Sequence, residues 1–499
     1  MANDYLLGID FGTQGSKAML CNRDGYVISY QYREHNISSP KVGWAEQNPE
    51  VVWWGSLINL VQDTLRQSGV SAKDIQGIGI SSFVPGMVPL DKNGVPLRPG
   101  IMYNDVRSEP QVKAIKSTLK EAGYLEKQTG PFWTSSPIPQ FLWVKENESR
   151  IYRRTKKILT CGGYLNYKLT GNFVIDHSMK RTFAPLYNPQ EDSWDSSVAE
   201  LLGLKTSLLP NRMGWATDIS GGVTAQAAEA TGLQEGTPVI IGTADAFAEM
   251  VGAGLVVPGS AGVIYGSAMP LLIVFDEPQD DWQGYHCLPD LYFGGAFLST
   301  GAALTRWFRD NFGQVEREME DILGESAYQL LDRQASRAPV GSDGLLIIPD
   351  FSSARGLISN QLCNGSILGL CTSHTRAHIF RALLEATALE LRYQLEEMGL
   401  EIDEMNAVGG GSRSPVWTQI VSDVLLVSQN VLEIPYGAPY GSAYLAGMGM
   451  GLFEDTQPLL EKWIHRKDHT ITANVQNHEI YNQQFDLYNL LISLVLISP

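Results

Sequence analysis

At 499 residues the chain is too long for one compact core, so two large domains are the starting expectation. Hydrophobic residues make up 44% and charged residues 18%, the balance of a globular protein. A net charge of −17 argues against a nucleic-acid or anionic-membrane partner, because phosphate backbones demand a basic face. A polyphosphate ligand stays open, since a local backbone nest and a metal can oppose the global field. The five cysteines (Cys21, Cys161, Cys287, Cys363, Cys371) include no CxxC pair, so neither a zinc site nor a disulfide framework is expected. Together with an N-terminus that enters a strand by Tyr5 without signal-peptide shape, this gives a cytoplasmic expectation.

The first stretch, Tyr5 to Leu20, reads as two strands joined by a Gly-bearing turn. Asp10 ends the first apolar run, and Gly12, Thr13, Gln14, Gly15, Ser16 and Lys17 follow. An acid, two hydroxyls, an amide and a lysine beside backbone N–H groups suit a polyphosphate with a divalent cation. A plain hairpin is the competing reading. Tyr26 to Tyr32 is expected as a third strand. Asn48 then caps a helix with Pro49 at its first position, stopped by Gly69. Val51, Trp54, Leu57, Ile58 and Val61 recur along it at helical spacing.

Ile75 to Ile80 is a β run. Ser81 to Arg107 is punctuated by prolines and glycines and reads as loops and short strands. Within it Asn104, Asp105 and Arg107 form a polar cluster after Ile101 and Met102, either a small-molecule site or a solvated Asp–Arg turn. Pro131 to Pro139 is expected as a rigid aromatic loop. A helix covers Gly162 to Leu169, and a strand lies around Phe173 to Ile175.

Pro238 to Ile241 is a short buried strand, followed by Gly242, Thr243, Ala244 and Asp245 and a small-residue helix ending at Gly252 and Gly254. Asp245 is either that helix's cap or a carboxylate aimed at a ligand from the carboxyl edge of a sheet. Ala261 to Val274 repeats the opening theme, with a turn at Gly266 and Ser267, and points to a duplicated architecture. Only the first copy keeps a carboxylate, so only it could bind a metal.

Phe293 to Gly301 leads into a helix from Ala302 to Asp310. A long helix covers Ser373 to Met398. The strand Met405 to Val408 runs into Gly409, Gly410, Gly411 and Ser412 and then a helix from Pro415, an arrangement that brings backbone close to a nucleotide. Tyr440 to Gly451 starts another helix with small residues on its contact face. The apolar tail, Leu490 to Ile497, is far shorter than the roughly 20 residues that span a bilayer. It reads as the end of a C-terminal helix or as a surface for oligomerisation.

Taken together, IDFGTQGSKAML, GWAEQNPEVVWW, YNDVR, LTCGGYLNYKLTG, GTADAFAEMVGAG and GGGSRSPVWTQIVSDVL resemble the FGGY family of carbohydrate kinases, its xylulokinase branch most closely. The resemblance runs from Tyr5 to about Gly451. It implies an α/β fold of two actin-like (ribonuclease H-like) ATPase domains with an interdomain cleft. Residues 1–254 would form the sugar-binding domain with the magnesium and phosphate hairpin, and residues 255–499 the ATP-binding one.

The implied reaction is transfer of the γ-phosphoryl of ATP, with Mg2+, to a hydroxyl of a small sugar or polyol, a ketopentose such as xylulose or ribulose first. Asp245 would be the general base and Asp10 the magnesium ligand. Thr13, Gln14, Ser16 and Lys17 would line the first phosphate turn, and Gly266 and Ser267 the second. Gly301, Gly410, Gly411 and Ser412 would complete the nucleotide contacts. Val84, Pro85, Asn104, Asp105, Arg107, Asp245 and Ala246 would face the sugar.

The chain departs from the branch in two places. Phe83–Val84–Pro85–Gly86 stands where Met-His-Gly is usual, and Ala246 follows Asp245 in place of Asn or Gln. Both put the xylulose assignment itself in question. Ser422–Asp423 in place of Ala-Asp is minor. Two other readings remain: an ATPase of the superfamily without a sugar substrate, and a non-catalytic sugar- or nucleotide-binding regulator. The cluster at Asn104 to Arg107 and the placement of Asp245 weigh against the first. The lack of a helix-turn-helix or basic segment weighs against the second. The expected partner is a small sugar or polyol, with a homodimer as an open expectation and neither nucleic acid nor membrane.

Overall fold

The computed structural model describes residues 4–124, 130–278, 284–349, 351, 365–433 and 437–497. They group into two compact units. One holds Met1–Gly252, Gly284–Leu291 and Tyr436–Trp463; the other holds Ala253–Gln283, Tyr292–Pro435 and Ile464–Pro499. Gly284–Leu291 and Tyr436–Trp463, which follow residue 254 in the chain, group with the N-terminal residues.

The first unit is built on β1 (Tyr5–Phe11), β2 (Gly15–Asn22), β3 (Val27–Glu34), β4 (Ile75–Ser82), β5 (Ile219–Gly222), β6 (Pro238–Ile240) and β7 (Thr243–Ala244). Their order is β5-β6-β4-β1-β2-β3, with β7 also on β4. The β1–β2, β2–β3 and β5–β6 pairs are antiparallel, while β4 runs parallel to β1, β6 and β7. The expected helix after Asn48 begins with a π turn, Pro49–Trp54, and continues as α1 (Gly55–Ser68). The Asn48 side chain accepts the N–H groups of Glu50 and Val51, and Gly69 closes α1 at a φ of 67°. Trp53, Leu57, Leu60 and Val61 are buried in this unit's core.

Further along lie α2 (Cys161–Thr170), capped by Thr160, α3 (Asp245–Gly252) and α7 (Gly437–Gly449). Backbone-to-backbone contact at glycines explains why α7 joins this unit. A Cβ at Gly8 would lie 1.8 Å from the Pro439 carbonyl oxygen, one at Gly79 2.1 Å from that of Ser442, and one at Gly441 1.9 Å from that of Ala248. Only hydrogen at those positions lets α7 lie on β1, β4 and α3. The stretch expected as a rigid loop to Pro139 is shorter: Pro137–Asn147 is helical, with Pro137 at its first position, where a missing N–H costs nothing.

The second unit repeats the pattern with β8 (Ala261–Ile264), β9 (Met269–Phe275), β10 (Tyr292–Leu298), β11 (Glu404–Val408), β12 (Ser428–Leu432) and β13 (Arg466–Ile471). They run β10-β9-β8-β11-β12-β13. Again the first two pairings are antiparallel, the next two parallel and the last antiparallel. The duplication expected from two short hairpins thus extends to whole sheets. Helices α4 (Gly301–Phe312), α5 (Arg376–Glu397), α6 (Pro415–Leu425) and α8 (Val475–Ile497) belong to this unit, and residues of all four enter its core.

Helix α8 buries Tyr481, Phe485, Tyr488 and Ile492, while Leu490 is 55% exposed; the tail's side chains from 494 onwards lie outside the described residues, as does Cys363. Among the described residues no helix is long and apolar enough to cross a membrane. Cys21, Cys161, Cys287 and Cys371 are free thiols.

Candidate active site

Parallel strands β1, β4 and β7 end at one edge of the first sheet and bring Asp10, Ser81 and Thr243 into register. Asp10 is 2% exposed; its Oδ1 accepts the Ser81 hydroxyl at 2.9 Å and its Oδ2 the Lys17 ammonium at 3.3 Å. Burial pushes the Asp10 carboxyl above its ordinary pKa, against the pull of Lys17 and Ser81. For Lys17 burial works against the charge, but Asp10 and then Glu249 hold its pKa above the usual lysine value.

The hairpin turn is tight, with the Gly12 N–H donating to the Gly15 carbonyl at 2.9 Å. Gln14 is exposed at its tip and Thr13 is half-buried. Ser16 faces inward: it is fully buried and its hydroxyl meets His35 Nε2 at 2.9 Å, so its side chain does not line the turn.

Asp245 opens α3 directly after β7. Its side chain accepts one hydrogen bond, from the neighbouring Ala246 N–H at 2.8 Å. A capping carboxylate accepts from the second or third helical N–H instead. Asp245 keeps some solvent exposure, yet protein surrounds its carboxyl closely enough that burial, then the Asp10 charge, raises its pKa well above the carboxylate range. One helical turn on, Glu249 joins the group. Burial pushes its carboxyl up to about 7, with Lys17 opposing and Asp10 adding. Cys161, at the start of α2, also senses Asp10 and Asp245, after burial, as a raised thiol pKa. Three carboxylates and one ammonium thus share a neighbourhood at the strand ends. Sequence reading found Asp10, Lys17 and Asp245 but not Glu249, whose four-residue spacing from Asp245 on a helix was the available signal.

The loop after β4 is tied to β1 by the Phe83 N–H, which donates to the Phe11 carbonyl at 2.7 Å. Val84 and Pro85 are half-buried, and Asn104 and Ala246 are exposed. Thr13 donates to the Tyr103 hydroxyl at 3.1 Å, which joins the hairpin tip to the YNDVR loop.

Asp105 and Arg107 are 1% and 7% exposed. Asp105 accepts the Ala45 N–H at 2.6 Å and the Arg107 guanidinium at 2.6 Å, and Arg107 also donates to Glu46 at 2.7 Å and lies 3.6 Å over the Trp44 ring. Glu46 pairs further with Arg98. The polar atoms expected to face a sugar are therefore already engaged with protein. Asp176 was not singled out from sequence; it sits beneath Thr243, whose hydroxyl it accepts at 2.7 Å.

In the second unit three glycine segments meet. The Gly266 carbonyl accepts the Ala302 N–H at 2.7 Å, and a Cβ at Gly301 would lie 2.6 Å from Met269 Cβ. The Tyr265 carbonyl accepts the Gly411 N–H at 3.0 Å, and Gly409 has a φ of 90°. Ser412 Oγ turns back to the Gly409 carbonyl at 2.8 Å. Ser267 and Gly410 are exposed, and nothing lies within 4 Å of a Cβ built on Gly410. The structure therefore brings Gly266, Gly301 and Gly409–Ser412 to one place, with Gly410 open to a ligand.

Residues 5–252 match the N-terminal domain of the FGGY family of carbohydrate kinases, and residues 279–450 its C-terminal domain. A xylulose kinase of Bacillus subtilis (strain 168) is 29% identical over 494 residues, covering 97% of this chain and 96% of the relative. A gluconokinase of the same organism is 28% identical over 457 residues, covering 90% of this chain and 87% of the relative. The crystal structure of a xylulose kinase from Rhodospirillum rubrum superposes with a TM-score of 0.84 at 27% identity, covering 98% of this chain and 99% of that one. The chain belongs to the FGGY family of carbohydrate kinases and is a phosphotransferase enzyme that acts on a sugar.

Proposed function

We propose that the protein transfers the γ-phosphoryl group of ATP to a hydroxyl of a small ketose, a ketopentose such as xylulose or ribulose first, or of a polyol. Asp245 is the general base. The observation that carries this reading is that, among the described residues, the Asp245 carboxylate accepts one hydrogen bond, from the Ala246 N–H, which leaves its other oxygen without a protein donor at the end of β7. A helix cap would have bonded further into α3.

Phosphoryl transfer is mostly positioning and charge neutralisation around a loose transition state. The acceptor is a neutral hydroxyl whose proton must leave. Asp245 takes that proton as the oxygen attacks, and its raised proton affinity makes it a stronger base than an ordinary carboxylate. Lys17 stays cationic beside Asp10 and offers positive charge to phosphate oxygens.

Magnesium fits the carboxyl-rich strand ends. Mg2+ takes one or two carboxylates and fills its remaining positions with water and substrate phosphate. Among the described residues no group of three or more His, Cys, Asp or Glu closes on one point, as a dedicated protein cage would require. Asp10 would hold the ion, which supplies charge neutralisation on the phosphates when bound. The exposure of Ser267 and Gly410 supports assigning the nucleotide to the glycine turns of the second unit. Tyr103, Asn104 and the Val84–Pro85 pair are assigned to the acceptor, and Asp105 and Arg107 hold that loop in shape.

Relatives named for xylulose and for gluconate leave the acceptor to be measured. An ADP-release screen over pentuloses, hexuloses, aldoses and polyols tests the reading. Stimulation by a ketose or polyol is expected, and no stimulation by any acceptor overturns it.

A further inference from the structure

A small recess opens in the first unit beside the strand ends. Its wall includes Ser82, Val84, Gly163, Asp176, Met179 and Thr243. Most of the wall is apolar or backbone. Asp176 is its one carboxylate, 3% exposed.

The Asp176 hydrogen bonds are lopsided. Oδ2 accepts the Thr243 hydroxyl at 2.7 Å and also the Ser178 hydroxyl. Among the described residues Oδ1 accepts only the Ser178 N–H, at a long 3.3 Å. A carboxylate has about four acceptor positions, so Oδ1 keeps capacity for a donor. No cation pairs with Asp176 among the described residues. Lys180, whose charge acts on Asp176, is itself bonded to His177 and Asp192. Burial pushes the Asp176 carboxyl up to about 7, the mark of a charge short of partners.

Thr243 stands two residues before Asp245, about 7 Å along an extended chain. That is the span of a five-carbon sugar. A five-carbon acceptor with one hydroxyl at Asp245 is therefore long enough to reach the recess wall at Thr243. The match needed there is a neutral hydroxyl donor. A carboxylate would face a second buried negative charge with no cation to offset it.

We propose that this recess receives the far end of the acceptor and that Asp176 accepts a hydroxyl there, which selects neutral ketoses or polyols over aldonates. The inference rests on the sugar-kinase reading of Asp245 and adds the residue that turns acidic acceptors away. Asp176 acts as a specificity residue and takes no part in the chemical step.

The test measures kcat and KM for neutral ketoses, polyols and aldonates with the wild-type enzyme, Asp176→Asn and Gly163→Ala. Gly163→Ala guards against a folding artefact. Its new Cβ meets Thr160 Oγ1 at 3.4 Å and the Val174 carbonyl at 3.6 Å, ordinary contacts, while adding a methyl to the wall. Wild type is expected to use neutral acceptors with kcat/KM at least about 100-fold above any aldonate. Asp176→Asn should raise KM for the neutral acceptor about 10-fold, leave kcat within about threefold and narrow that ratio. Gly163→Ala should raise KM with an unchanged melting temperature. Equal use of aldonates, or an unchanged KM in both variants, overturns the proposal.

Calorimetric binding of the same compounds without ATP separates the two readings. If no acceptor stimulates ADP release, the kinase reading fails. Lack of a neutral-over-acid preference in binding overturns the recess assignment.

Discussion

Asp10 and Lys17 are register partners across the first hairpin, and the Lys17 ammonium lies 3.3 Å from the Asp10 carboxylate. Burial alone would favour a protonated Asp10 and a neutral Lys17; paired, each opposes that tendency in the other. The pair sets a buried carboxylate, 2% exposed, beside an ammonium whose side chain is 34% exposed at the strand end.

Asp10→Asn removes the anion and leaves the shape. The expected result is a fall in kcat of about 100-fold or more, with a higher Mg2+ concentration for half-maximal rate, because the charge that would hold the ion is gone. Steady-state kinetics over a Mg2+ titration checks this. An unchanged Mg2+ dependence would remove Asp10 from the metal role.

Asp245→Ala should lower kcat by about 10²- to 10⁴-fold while fluorescent ATP analogues still bind. Substantial remaining turnover would reduce Asp245 to a helix-end residue. The wild-type pH profile adds a second readout. Only the ionised carboxylate can take the proton, and its pKa is raised, so the rate should fall on the acid side at a pH above the usual carboxylate value of about 3.9. A rate that stays flat down to that value would contradict the assignment.

Arg107→Met should destabilise the first unit by about 3–5 kcal/mol, because Asp105 would be left as a buried anion without a cation and Glu46 would keep only Arg98. Arg107→Lys should recover only part of this, since an ammonium cannot reproduce the fork that reaches both acids. Urea denaturation reads the loss. A variant as stable as wild type would argue that Arg107 is held for substrate contact.

Gly8→Ala tests the packing of α7. The added Cβ would stand 1.8 Å from the Pro439 carbonyl oxygen, and backbone cannot turn aside as a side chain does. A loss of about 1–3 kcal/mol or more is expected, or failure to fold. Thermal denaturation measures it, and a change below about 0.5 kcal/mol would mean that α7 sits elsewhere.

Much of the local structure is legible in the chain. Asn48, Pro49 and Gly69 mark their helix because capping and termination depend on neighbours within a few residues. The turns at Gly12–Gly15 and Gly266–Ser267 show for the same reason. Asp105 and Arg107 were legible as a cluster, but not as a pair bound to Glu46 and Ala45, some 60 residues away. Ser16 carried no sign that its hydroxyl turns inward to His35. The Pro131–Pro139 stretch misled because proline disfavours helix interiors yet is welcome at a helix start.

By itself, then, the sequence determined the two hairpins whose likeness points to a duplicated architecture, the acid at the end of β1 and the acid after β7. All of these rest on short-range turn chemistry and hydrophobic period. Only the tertiary structure decided that Tyr436–Trp463 belongs with the N-terminal residues, where glycines let backbone meet backbone. It alone also gathered Glu249 with Asp10 and Lys17, and set Asp176 beneath Thr243. Those relationships join residues some 70 to more than 400 positions apart along the chain. Such contacts are chosen by packing and by the need of buried charges for partners, and neither leaves a periodic trace in the sequence.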